Sequence, residues 1–231
     1  MTYTIEKGSE QRYINEEIHF QDALIVEGKA IFENCRIFCN EAENSKNIMI
    51  NSSGELIFNN CQIICCGINK FFFVESDIGS LEINECHILN FYNFVGGTFH
   101  ILEVNNCEFK DCVGNIIDAT FGRGILFAVA FMASLSKFKI YNCRFICKKV
   151  PQYLKDQEIS IENPLLKGGF EITRSSFEVG YFPLKLFKLH ENSELKNCKF
   201  VNVNDVPADL CYGMTTCIDC QFEIKPKGET K

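Results

Sequence analysis

The chain has 231 residues, 46% of them hydrophobic, enough for one well-filled core. Thirty acidic residues against 23 basic ones give a formal charge of −7, which repels a nucleic-acid backbone unless the few Lys and Arg cluster. No apolar run reaches the roughly 18–20 residues of a membrane span. Residues 1–7 carry no apolar leader segment, so a cytoplasmic location is expected.

Residues 1–22, rich in Glu and Gln, read as an N-terminal cap. A repeat then runs over 23–225, marked by Cys35, Cys61, Cys86, Cys107, Cys143, Ser175, Cys198 and Cys220. Two residues after each anchor stand Ile37, Ile63, Ile88, Phe109, Phe145, Phe177, Phe200 and Phe222, all large and apolar. Three residues before come Phe32, Phe58, Ile83, Val104, Ile140, Ile172, Leu195 and Cys217. Asn34, Asn60, Asn106, Asn142 and Asn197 immediately precede their anchors; Glu85, Arg174 and Asp219 do so in the other coils.

The unit Leu-x-Ile-x-Asn-Cys-x-Phe holds two runs of period two, offset by one residue at the Asn. Period two predicts strands with alternate side chains inward. The offset predicts a sharp bend, where Asn tolerates the left-handed conformation. Cys39, Cys65 and Cys147 extend the second strand's inward row. A third strand is expected before each motif, at 47–50, 71–74, 115–117, 164–166 and 186–189. Like residues then stack on like from coil to coil. The fourteen cysteines are expected to be buried thiols, because free Cys behaves as a small hydrophobe.

The segments Leu-Glu-Ile-Asn-Glu-Cys-His-Ile (81–88), Leu-Glu-Val-Asn-Asn-Cys-Glu-Phe (102–109) and Phe-Lys-Ile-Tyr-Asn-Cys-Arg-Phe (138–145) resemble coils of the pectate-lyase-like superfamily. The resemblance implies an all-β fold: a right-handed parallel β-helix solenoid of about eight coils, with Asn, Cys and Phe ladders. A leucine-rich repeat also fits the spacing, but the strand-like remainder of each coil opposes it.

Two insertions break the spacing, at about 121–136 and 148–163, and residues 226–231 form a polar tail. The first insertion is apolar from Ile125 to Ala133, either packed on the rod or forming a contact. Self-association or a protein partner would use Ile125, Leu126, Phe127 and Phe131. No nucleic-acid or membrane partner is expected.

The best candidates for catalysis are Glu75 and Asp118, two coils apart, with Arg123 near Asp118. Cys217 and Cys220 form a lone Cys-x-x-Cys on core positions, short of a four-ligand zinc set, so no metal is expected. No cofactor motif is present, and His19, His87, His100 and His190 share no spacing. Phe numbers 22 while Trp is absent, a balance that fits core filling better than a sugar cleft. The expected function is a non-catalytic, soluble binding or structural module, acting through a flat sheet face or the apolar insertion. The alternatives are a carbohydrate-active lyase or hydrolase and, more remotely, an acidic mimic of nucleic acid.

Overall fold

In the computed structural model the repeat closes into a parallel-strand β-solenoid. The structure describes residues 3–20, 23–39, 48–51, 53–66, 72–112, 115–121, 137–147, 165–168, 171–179, 187–189, 194–203 and 216–224. All regular elements among them are strands, and every strand pairing is parallel.

Each coil contributes up to three short strands, which line up as three faces. The first face runs from Tyr3–Ile5 through Leu24–Val26 and Ile48–Ile50 to Phe187–Leu189. The second runs from Glu10–Ile14 through Lys29–Glu33 and Glu55–Asn59 to Thr216–Ile218. Strands Val74–Asn84 and Val95–Asn105 continue around the corner between these faces and join them into one fifteen-stranded sheet. The third face is a nine-stranded sheet from Glu17–Phe20 to Gln221–Ile224.

Period two does what it predicts. Along Glu55–Asn59 and Gln62–Cys65, Leu56, Phe58, Cys61, Ile63 and Cys65 are buried, and the residues between them are less so. The pattern shifts phase at the corner, where the residue before each anchor takes a positive φ. Asn34, Asn60, Asn106, Asn142 and Asn197 lie between 51° and 56°, and Glu85, Arg174 and Asp219 between 52° and 57°. Asn stabilises this conformation locally, so it prevails at the corner.

Three differences from the sequence expectation stand out. Residues 3–20 contain three strands that pair in register with the next coil, so the repeat extends into the segment read as a cap. Its anchor is Glu16 rather than Cys, and Asn15 supplies the positive φ of 58°. The strand expected at 71–74 begins instead at Val74, because Phe72 lies outside the ladder. Residues 122–136 and 148–163, with Arg123, Ile125, Leu126, Phe127 and Phe131, lie outside the described residues.

The core combines Ile, Leu, Val and Phe with the anchor thiols, and several of its aromatic rings stack from coil to coil. Phe109 and Phe145 stack at 4.6 Å and 7°, and Tyr13 lies on Phe32 at 4.6 Å and 6°. The anchors are more than small filler. The Cys61 N–H donates to the Cys86 sulfur at 3.3 Å, and the Cys86 N–H to the Cys107 sulfur at 3.4 Å. Each thiol in turn faces carbonyls: Cys107 reaches those of Asn105 and Ile83, at 3.2 and 3.4 Å. Ser175 keeps both contacts, accepting from the Cys143 N–H at 3.2 Å and donating to the Thr173 carbonyl at 3.2 Å. The position therefore needs a small side chain that both donates and accepts.

Candidate functional site

Glu75 and Asp118 share one register position on the first face. In register the row reads Met49, Glu75, Gly96, Asp118, Lys167 and Lys188. Two strand spacings separate the backbones of the two acids, roughly 10 Å. Gly96 stands between them, and the Phe72 ring lies directly over it: a Cβ on Gly96 would meet that ring at 2.3 Å. An aromatic ring therefore covers the strand position between those of Glu75 and Asp118. Glu75 is half-buried. Arg123, the proposed basic partner, lies outside the described residues.

The turn after Glu75 is unusual. Ser76 is buried and its Oγ accepts from the Gly79 N–H at 2.9 Å. Between them Ile78 takes a φ of 64°, a left-handed conformation that β-branched residues avoid, and it is 45% exposed. Beside this turn Gly97 has a φ of 110°, and a Cβ there would strike the Ser76 carbonyl at 2.3 Å.

The third face offers a different kind of surface. Its outward row places His19, Phe38, Ile64 and Leu89 on consecutive strands. Phe38, Ile64 and Leu89 are each half-buried, though nothing in the coil requires an apolar residue there. His19 stacks on Phe38 at 4.6 Å, and the Arg36 guanidinium sits 4.8 Å from the centre of that ring. The neighbouring polar row carries Arg36, Gln62, His87, Glu108 and Arg144, with Arg144 paired to Glu108 at 3.2 Å.

Several of the described cysteines are buried and held in the thiol form. Twelve have described side chains, all as thiols, and ten of these are buried. A hydrogen bond with Cys107 and burial hold the Cys86 thiol up at about 12. Burial does the same for Cys147 and Cys198, each to about 12. Thiols held so far above neutrality carry almost no thiolate at pH 7. Among the described residues no group of three or more His, Cys, Asp and Glu is placed to hold a metal ion. Cys220 is half-buried at its anchor position, and Cys217 pairs in register with Leu195. The histidines are dispersed: His19 contacts Glu17 at 3.1 Å, His87 lies 3.9 Å from Glu108, and His190 is outside the described residues.

Two features escaped the sequence reading. A second asparagine row runs beside the first: Asn84 donates to Asn59 and Asn105 to Asn84, both at 3.0 Å. Its signal was an Asn two residues before three successive anchors. The Phe38 row was legible as apolar residues three after the anchor, off the inward period. No family model matches the chain, and no curated protein or solved structure matches it either. Among the described residues no helix is long and apolar enough to cross a membrane.

Proposed function

We propose that this protein is a non-catalytic binding or structural module, a right-handed parallel β-helix of about eight coils that presents a flat sheet face. The observation that carries this reading is the row Phe38, Ile64 and Leu89. It is half-exposed, in register on adjacent parallel strands, and bordered by charge. An apolar row rimmed by polar residues suits partner recognition. Three strands per coil and an asparagine corner support a kinship of fold with pectate-lyase-like proteins, and nothing beyond fold is carried over. The thiol rows fit a reducing compartment, the cytoplasm. The apolar insertion remains the second candidate contact.

The ring of Phe72 over Gly96 counts against a lyase or hydrolase, because a sugar must lie between the two carboxylates. On the second face the row Arg12, buried Ile31, Ile57, Glu82, Glu103 and Lys139 mixes signs, which counts against a nucleic-acid mimic.

The test compares the parent chain with the triple variant Phe38→Ser, Ile64→Ser, Leu89→Ser in proximity labelling from the source cells. A partner labelled by the parent and lost in an equally stable triple variant supports the reading. Release of reducing ends from a glycan panel by the parent, abolished by Glu75→Gln, would replace it with the enzyme.

A further inference from the structure

The third face carries two outward rows side by side over consecutive strands. The polar row reads Glu17, Arg36, Gln62, His87, Glu108 and Arg144. The more apolar row reads His19, Phe38, Ile64, Leu89, Lys110 and Ile146. All of these side chains are exposed or half-buried. By the strand spacing the rows run roughly 24 Å along the rod.

The polar row is paired within itself. Glu17 lies 3.8 Å from Arg36 and 3.1 Å from His19, while Glu108 lies 3.2 Å from Arg144 and 3.9 Å from His87. The order of signs nevertheless matches its own reverse: acid then base at each end. Turned end for end, the row sets Arg144 against Glu17, Glu108 against Arg36, and His87 against Gln62. The same reversal sets Leu89 against Ile64, Lys110 against Phe38, and Ile146 against His19. On the bordering corner it puts Glu85 against Asn60, and asparagine against asparagine on either side. A reversal centred half a strand spacing away opposes Glu17 to Glu108 in one direction and Arg36 to Arg144 in the other. The match is specific to one register.

We propose that the third face is a self-complementary contact for a second copy of the chain, laid upon it with the rods antiparallel. The twofold axis runs along the strand direction, between the strands of Gln62 and His87. This deepens the reading of the third face as a binding surface, on which it rests: the partner is the chain itself. An isologous contact requires each patch to answer its own reverse. No charge has to be free for this. Each internal ion pair faces one of opposite polarity, so the four charges at either end alternate. Ile64 and Leu89 from both copies form the apolar centre beside the axis. The Lys110 stem lies against Phe38, whose ring already holds the Arg36 guanidinium at 4.8 Å. A patch this small, rimmed by exposed charge, supports a weak dimer.

Sedimentation velocity of the full chain at about 100 µM is expected to show dimer exchanging with monomer. Arg36→Glu alone sets acid against Glu108 of the second copy, and Glu108→Arg alone sets base against its Arg36. Each clash occurs twice about the axis and is expected to weaken association about tenfold or more. Arg36→Glu with Glu108→Arg in one chain exchanges the signs and is expected to restore the dimer, which a contact elsewhere or in another register would not do. Circular dichroism and urea denaturation confirm that each variant folds. The variant Phe38→Ser, Ile64→Ser, Leu89→Ser is expected to be monomeric. A parent monomeric at this concentration overturns the proposal. So do single reversals or a triple variant that dimerise like the parent, or a folded double reversal that stays monomeric. A monomeric parent that labels a different protein in cells, lost in the triple variant, would overturn the second copy as occupant and leave the binding face standing.

Discussion

The Asn142 side chain donates to Asn106 at 2.9 Å across 36 residues of sequence, almost the same bond that Asn60 makes to Asn34 across 26. The extra residues leave the corner unaltered. Both bonds rest on a left-handed backbone, 52° at Asn142 and 56° at Asn106. Asn106→Ala loses the amide bond and keeps a Cβ in the left-handed conformation without the side-chain amide that favours it, at a cost of about 1–2 kcal/mol. Asn106→Gly loses only the bond and is expected to be the more stable variant in urea denaturation. Equal stabilities would mean that the backbone conformation contributes nothing.

The anchor row distinguishes packing from hydrogen bonding. Cys86→Ala removes the acceptor of the buried Cys61 N–H and is expected to cost about 1–3 kcal/mol. Cys86→Ser keeps a donor and an acceptor, as Ser175 does, and is expected to cost clearly less. If Ala and Ser were equally tolerated, the row would be filler alone.

Stability should fall in alkaline solution for a reason specific to this core. Below the ordinary thiol value of 9.0, folded and unfolded chains both keep their thiol protons. Above it the unfolded chain ionises while Cys86 and Cys198 hold their protons to about 12, so rising pH favours unfolding. The loss is expected between pH 9 and about 12 in equilibrium melts, and a Cys86→Ser variant should show a shallower slope. Thiol reagents at pH 8 should label the ten buried cysteines slowly until denaturant is added.

Phe145→Ala opens a cavity beneath the Phe109 ring, where coils on both sides hold the walls apart. About 3–5 kcal/mol is expected. Tyr13→Ala, at the half-buried end of its stack on Phe32, should cost less. A reversed order in chemical denaturation would contradict the stacked core.

The apolar insertion is open to a clean deletion. Phe99 pairs with Phe121 and Ile101 with Lys137, so His100 alone crosses in one coil the gap that 122–136 spans in the next. Replacing 122–136 by a short turn should leave the ladder pairs intact. The expected product is folded, of unchanged oligomeric state, and earlier to melt. Loss of self-association in a product as stable as the parent would assign the contact to Ile125, Leu126, Phe127 and Phe131.

By itself the sequence determined the coil. Alternation of period two, its offset at the Asn and the recurrence of Cys, Ile and Phe name the inward residues and the left-handed corner. These are local consequences of backbone sterics and burial, repeated until they are unmistakable. It also carried the terminal coil, as Tyr13, Asn15, Ile18 and Phe20, although Glu16 in place of Cys hid the match. The tertiary structure decided what lies between coils: which face Glu75 and Asp118 share, and that the Phe72 ring covers the glycine between them. It likewise set three apolar residues from separate coils side by side on the third face. Those relations depend on register, and register is the sum of every loop length along the rod. No window of sequence short enough to read contains it.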